Sequence, residues 1–226
     1  MASSGRLPAG LLERLHSPCE DMAWLRDHVV MDSGPATGTS VIVAIHVGAD
    51  RGSGVGSHSL GIVCSDYFSA VSRNAAWLRD ARVSERRVRL FSSGEKNHSL
   101  RHYAVTDQND LLRGCPAEAS PRGVASFLDE FFARLKQEYT SVVLVVYNPL
   151  DWAASFGELS FWVPPEDVRI ISGYAQATHI YPDAGISTLE DVARVLELSS
   201  ADRESLSAHH AYSFFFLVMT LTGMCF

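Results

Sequence analysis

Two short runs of apolar, mostly β-branched residues stand out along this chain, at residues 41–47 (VIVAIHV) and 142–147 (VVLVVY). Runs of this length are typical of strands that are buried on both faces in the middle of an α/β sheet. His46 interrupts the first run near its carboxyl end, where open sheets tend to place chemistry. We therefore predict that residues 41–47 form the central strand, with His46 at a candidate site.

Other segments have the periodicity of further strands and helices. Residues 58–66 predict a strand that forms a hairpin with the first, and shorter strands are predicted at residues 88–91, 100–105 and 168–172. Ser120 and Pro121 precede an apolar stripe at helical spacing, which indicates an amphipathic helix over residues 121–139. Helical segments are also predicted within residues 8–30, 75–82, 153–159, 174–181 and 187–198, and from about residue 206.

This order of elements predicts a topology. A helix that connects two strands of one sheet makes a right-handed crossover, so residues 142–147 should lie beside residues 41–47 and run parallel to them. Residues 58–66 should pair antiparallel on the other side. The predicted fold class is α/β, a mixed sheet flanked by helices on both faces. Residues 1–36 are interpreted as an N-terminal helical extension, and residues 37–226 as the main domain.

Composition narrows the function classes. The chain has 226 residues, a net charge of −7 and a pI of about 5.7, which argues against a nucleic-acid binder held by bulk charge. Its four cysteines lie far apart, which favours free thiols in a reducing compartment. The N-terminal residues lack the apolar core of a signal peptide. The uncharged stretch 205–226 is interpreted as a buried helix, because its apolar part is shorter than the ~20 residues of a membrane span. We expect an intracellular protein, cytoplasmic or nuclear, that does not cross a membrane.

Six stretches occur in an order that is similar to a known family: VIVAIHVG, HSLGIVCSDY, RHYAVTDQNDLLRGCPAEA, VVLVVYNPLDW, STLEDVARVLEL and SLSAHHAYSFFFLVMTL. Together they cover about residues 37–222 and resemble the DEDD 3′–5′ exonuclease superfamily. The resemblance is closest to the DEDDh-type domains that are widespread in filamentous fungi. It implies a ribonuclease-H-like fold.

Members of this superfamily cleave nucleic acid with two divalent cations held by four acidic residues, and a histidine serves as general base. Carboxylates suit this chemistry because Mg²⁺ and Mn²⁺ are hard ions that prefer oxygen ligands. In this chain the acidic positions fall on His46, Gly48, Pro149 and His210, and the general-base position falls on Ser205. Asp151 lies two residues after the third position. The resemblance therefore implies a pseudonuclease with no catalytic residues, no metal and no cofactor.

The leading hypothesis is a non-catalytic scaffold or interaction subunit with a protein partner, and a homo-oligomer is one form of it. Aromatic residues exceed what one core face requires, and the candidates for an interface are Trp152, Phe161, Trp162, Phe214, Phe215 and Phe216. Neighbouring residues of a helix are ~100° apart, so three consecutive phenylalanines cannot all face the sheet. Core packing against the N-terminal helices would explain the same residues, and both interpretations stay open.

Two further hypotheses belong to other classes. Nucleic-acid binding without cleavage would use the degenerate groove and Arg79, Arg82, Arg86, Arg87 and Arg89, although a solvated surface also explains these arginines. A metal-dependent enzyme with an altered site would use His46, His209 and His210, since imidazole suits transition metals. His209 and His210 are adjacent on a predicted helix, however, and cannot both face one ion.

Overall fold

The computed structural model of the chain describes residues 7–28, 40–49, 58–66, 83–90, 106–107 and 111–195. Its strands are β1 (Ser40–Ala49), β2 (His58–Ser65), β3 (Val83–Leu90), β4 (Thr106–Asp107), β5 (Glu118–Ala119), β6 (Ser141–Val146) and β7 (Arg169–Ser172). Its α-helices are α1 (Pro18–His28), α2 (Pro121–Glu138), α3 (Trp152–Phe156), α4 (Gly173–Ile180) and α5 (Leu189–Val195). Short 3₁₀ helices lie at Leu12–Arg14, Pro149–Asp151, Gly157–Leu159 and Pro182–Ala184.

The strands form one mixed sheet in the order β4-β3-β2-β1-β6-β7, with β5 also paired to β3. β1 is central, as predicted. β2 pairs antiparallel to it, with Ala44 opposite Val63, and β6 pairs parallel to it, with Ala44 opposite Val145. The predicted α/β fold class with a mixed sheet is confirmed, and the arrangement is consistent with a ribonuclease-H-like fold.

Helices cover both faces of the sheet. Successive apolar side chains of β1 point to opposite faces, so each face needs an apolar cover. Val41, Val43 and Ile45 belong to the core cluster that includes the apolar stripe of α2. Ile42 and Ala44 belong to a second cluster, which includes side chains from α1, α4 and α5. The α2 helix begins where it was predicted, because the Ser120 hydroxyl accepts a hydrogen bond from the Gly123 amide at 3.2 Å and Pro121 occupies the first turn.

The third strand is longer than the sequence indicated. A strand was predicted over residues 88–91, whereas β3 begins at Val83 and pairs along the whole of β2, from Ser65 opposite Val83 to His58 opposite Leu90. The residues between Val83 and Val88 are polar, so the sequence shows no strand pattern there. They form a strand because their backbone pairs with β2. The strand predicted at 100–105 and the helices predicted at 75–82 and from 206 lie outside the described residues.

The N-terminal helices pack against the same sheet. Asp21 of α1 is only 2% exposed, and its Oδ1 accepts hydrogen bonds from Nε and Nη2 of Arg169 at 3.0 and 2.7 Å. The Arg169 guanidinium lies 5.4 Å from the centroid of the Trp24 ring. Burial raises the pKa of Asp21, and Arg169 offsets part of that shift. A largely buried ion pair therefore joins α1 to β7.

The helices of the described ranges differ from membrane spans in length or in hydropathy. No helix of that part of the chain is both long enough and apolar enough to cross a bilayer.

Candidate functional site

The candidate site lies at the carboxyl end of β1, where His46 and Gly48 follow Ala44 on one face of the strand. Both residues are half-buried. Their partners on β2 are Gly61 and Ser59, so the residue opposite His46 has no side chain. The structure thus places the first predicted motif at a strand end, as the sequence indicated, with an imidazole and a glycine as its residues.

The turn after β6 brings Pro149, on which the third acidic position of the family falls, to the same edge of the sheet. Pro149 is buried in a 3₁₀ helix, and the Asn148 side chain caps that helix by accepting a hydrogen bond from the Leu150 amide at 3.2 Å. The Ser155 hydroxyl donates to the Asn148 carbonyl at 2.8 Å. Because β1 and β6 run parallel, their carboxyl ends meet here.

Asp151 has a structural role in this turn. Its carboxylate is exposed and accepts a hydrogen bond from the Ala154 amide at 3.2 Å, which makes it the N-cap of α3. Aspartate is among the best N-cap residues, because its oxygen satisfies an amide that the first helical turn leaves unpaired. In the sequence DWAA, Asp151 could therefore be interpreted in two ways, as the N-cap of a helix or as a metal ligand displaced by two residues from its usual position.

The segment after α3 closes against β1. Gly157 has φ +51°, a backbone conformation that favours glycine, and a Cβ built there would lie 3.8 Å from Cγ1 of Val47. The next residue, Glu158, extends to His58, and its Oε1 lies 4.0 Å from Nδ1 of that imidazole. His58 is the β2 partner of Ala49. A carboxylate and a second imidazole therefore lie at this end of β1, but on the α2 face and not on the face of His46 and Gly48. The sequence pattern did not reveal this pair because 100 residues separate its members.

Tyr147 ties the end of β6 to the loop before α5. Its hydroxyl donates a hydrogen bond to the Ser187 carbonyl at 3.0 Å, and its ring packs edge-on against Tyr174 at 5.6 Å. Burial, with smaller contributions from Tyr174, Asp191 and Glu190, raises the pKa of Tyr147 to about 12. The raised pKa keeps the hydroxyl protonated well above neutral pH, in keeping with its role as a hydrogen-bond donor.

Metal-ligating side chains do not converge in the described part of the chain. There, no group of three or more His, Cys, Asp and Glu residues is placed to hold an ion. Ser205, His209 and His210 lie outside the described residues, so their predicted places at the site stay predictions.

Only some of the arginines predicted to contact nucleic acid belong to the described residues. Arg79 and Arg82 lie outside the described residues, and the other three lie on β3. Arg87 pairs with Gly61 and Arg89 pairs with Ser59, which in turn pair with His46 and Gly48. Two of these arginine positions are therefore two strands from the candidate site, roughly 10 Å at the usual spacing of strands.

Two of the predicted interface aromatics are core residues, which corrects that prediction for Trp152 and Trp162. Both are buried. The Trp152 indole N–H donates to the Trp162 carbonyl at 3.1 Å, and the Trp162 indole N–H donates to Oδ1 of Asp129 at 2.9 Å. Their rings pack against Phe156 and Phe132. Phe161 is exposed, and Phe214, Phe215 and Phe216 lie outside the described residues.

Comparisons with known proteins give no family for this chain. No protein-family model matches it, and no curated protein matches it either. The resemblance to the DEDD superfamily therefore stays a prediction. It rests on the quoted motifs, and the strand order and the meeting of β1 and β6 at one sheet edge are consistent with it.

Proposed function

We propose that this protein is a catalytically inactive, exonuclease-like scaffold that acts through protein partners inside the cell, in the cytoplasm or nucleus. One observation carries the proposal. At the sheet edge where two-metal nucleases need carboxylates, the residues are the imidazole of His46, the bare backbone of Gly48 and the buried ring of Pro149. None of these three can supply the anionic oxygen that Mg²⁺ or Mn²⁺ requires.

An electrostatic argument supports the proposal. Two divalent cations a few ångströms apart repel each other strongly unless several anionic ligands surround them. Among the described residues, Asp151 caps α3 at this edge of the sheet, and Glu158 lies beside His58 on the α2 face. Two exposed carboxylates on short turns are poor substitutes for four that are fixed on strands and helices.

The test is a nuclease assay with labelled single- and double-stranded DNA and RNA, in Mg²⁺ and in Mn²⁺. We expect no cleavage by the wild-type protein, and none after His46→Asp, because the other positions still lack carboxylates. Asp151→Asn is the informative variant, since asparagine keeps the helix cap while removing the charge. Wild-type cleavage that disappears in Asp151→Asn or in Glu158→Gln would overturn the proposal and indicate a relocated metal site.

A homo-oligomer is one form of the scaffold proposal, motivated by the large number of aromatic residues. Sedimentation velocity at increasing protein concentration tests it directly. A single monomeric species at every concentration would remove the homomeric form and leave a foreign protein as the partner.

A second candidate is nucleic-acid binding without cleavage, which the strand register favours. Arg87 and Arg89 lie on β3 opposite residues that themselves pair with His46 and Gly48. The net charge of −7 acts against such binding. If binding occurs, its affinity should fall linearly with salt on logarithmic axes, and Arg87→Glu with Arg89→Glu should reduce that slope. An unchanged slope would exclude these arginines as phosphate contacts.

A further inference from the structure

A cysteine and a histidine are in contact between two helices that are not part of the candidate site. Sγ of Cys19, in the first turn of α1, lies 3.7 Å from Nε2 of His179, in the last turn of α4. The two residues are 160 positions apart in sequence, so the fold brings them together. A thiol in hydrogen-bonding contact with an imidazole is the arrangement of a nucleophile and its base.

Both members of this pair are exposed. Cys19 is the most exposed of the three cysteines that the structure describes, since Cys115 is partly buried and Cys64 is buried. Small solutes can therefore reach the Cys19 sulfur directly. Accessible thiols with a proton acceptor nearby are the ones that oxidants modify, whereas buried thiols are inert.

The backbone on both sides of the pair is anchored. Gln176 of α4 is fully buried, and its Nε2 donates a hydrogen bond to the Pro18 carbonyl at 3.2 Å. Pro18 directly precedes Cys19, and Gln176 lies one helical turn before His179, on the same face of α4. The ion pair described above also joins α1 to β7. The thiol and the imidazole are therefore held together by buried contacts beside them, and not only by their own hydrogen bond.

The charges around the pair have both signs. The Glu20 carboxylate accepts hydrogen bonds from the Ser17 amide and hydroxyl at 2.8 and 2.7 Å. His16 and Arg169 lie within electrostatic reach of that carboxylate, and Asp21 is paired with Arg169. The amides at the start of α1 favour negative charge, and the two carboxylates oppose it. The imidazole in direct contact is therefore the group that distinguishes this thiol from an ordinary one.

We propose that Cys19 is a site of oxidation to sulfenic acid by hydrogen peroxide, with His179 as its proton acceptor. Nε2 of the neutral imidazole takes the thiol proton, and the thiolate sulfur attacks one peroxide oxygen. An S–O bond forms and the O–O bond breaks, so the sulfur loses two electrons and the peroxide is reduced. The leaving hydroxide takes the proton from His179 and departs as water. The site is independent of the proposed scaffold function.

Peroxide treatment of the reduced protein, with dimedone to trap sulfenic acid and mass spectrometry to locate it, tests the proposal. We expect native Cys19 to be labelled faster than Cys19 of the urea-unfolded protein, although unfolding exposes the sulfur fully. At pH 7 only ~3% of an ordinary thiol is ionised, so a base in contact can raise the rate by up to ~30-fold. His179→Gln should lower the rate of labelling about tenfold at this pH.

The pH dependence separates proton transfer from access to the sulfur. The difference between wild type and His179→Gln should disappear at about pH 10, where an ordinary thiol is ionised without a base. A difference in access would persist at every pH. Circular dichroism at each pH checks that both proteins are folded, and the comparison of native with unfolded wild type stands without any variant.

His16→Gln is the matched control, because His16 is also exposed and lies three residues before Cys19. It should leave the labelling of Cys19 unchanged. Three results would overturn the proposal: native Cys19 labelled no faster than the unfolded chain, equal rates in the two histidine variants, or a loss in His179→Gln that persists at about pH 10.

Discussion

The two faces of the sheet are covered in different ways, although β1 contributes alternate side chains to both. On the α2 face, Val41, Val43, Ile45 and Val47 join a cluster of apolar and aromatic residues. On the opposite face, Ile42 and Ala44 are followed by His46, and the helices there are shorter. Polar contacts such as the pair between Asp21 and Arg169 help to hold these helices. The comparison teaches that polar contacts hold the cover of both faces, but through different partners. On the α2 face Trp162 donates to Asp129 of the long helix, whereas on the opposite face an ion pair joins the shorter α1 helix directly to β7.

The largest effect is expected on the α2 face, at Phe132. This side chain is fully buried and packs against Phe131 and Trp162. Phe132→Ala should lower the free energy of unfolding by about 3–5 kcal/mol, because it removes buried surface and leaves a cavity. Chemical denaturation measures the loss. Phe161→Ala is the exposed control and should cost less than about 1 kcal/mol. Similar losses in both variants would contradict the assignment of Phe132 to the core.

A smaller effect is expected on the opposite face, at Asp21. Asp21→Ala leaves the Arg169 guanidinium, which is 15% exposed, without its carboxylate. Because Arg169 keeps some access to water, the loss should be about 2–3 kcal/mol, below that for breaking a fully buried pair. The double variant Asp21→Ala with Arg169→Met should be more stable than Asp21→Ala, since no unpaired charge remains buried. A double variant less stable than the single one would show that the pair is not the source of the loss.

The smallest effect is a pH dependence with opposite signs at two carboxylates. Hydrogen bonds from the Ser187 amide and from Thr188 lower the pKa of Asp191 to about 2, so its contribution is present above its usual value of 3.8 and is lost as pH falls toward about 2. The pKa of Asp21 is raised instead, so its contribution is greatest below 3.8 and declines as pH rises above that value.

Urea unfolding of the wild type, Asp191→Asn and Asp21→Asn over acidic pH measures both effects. The stability difference between wild type and Asp191→Asn should grow as pH rises through the acidic range. The corresponding difference for Asp21→Asn should shift in the opposite direction. Parallel curves for the two variants would contradict the assigned environments.

The central sheet was predictable because its strands are apolar runs joined by one amphipathic helix. The apolar composition of residues 41–47 and 142–147 predicts two buried strands, and the crossover through α2 predicts that they run parallel. The first half of β3 was not predictable, because its polar residues join the sheet through backbone pairing with β2 and β4 and not through an apolar pattern. Local pattern carries no information about such a partner.

The candidate site divides along the same line. The position of His46 could be predicted because it follows from its strand. The capping role of Asp151 could not, because the same local sequence also fits a displaced metal ligand. The approach of Glu158 to His58 and the burial of Trp162 against Asp129 depend on residues far apart in the chain. These contacts depend on the tertiary structure, so no local sequence motif predicts them.

The way the sheet ends has a consequence for aggregation. On one side, the outer edge of β3 is paired at its two ends, by β4 next to Ser84 and Glu85 and by β5 next to Arg89 and Leu90. On the other side, the last strand in the described part of the chain is β7, which is four residues long. An open strand edge is a template on which another molecule can add its own strand, and short or covered edges deny it that template. The described sheet therefore offers another molecule only short stretches of strand edge, which disfavours aggregation by edge-to-edge pairing.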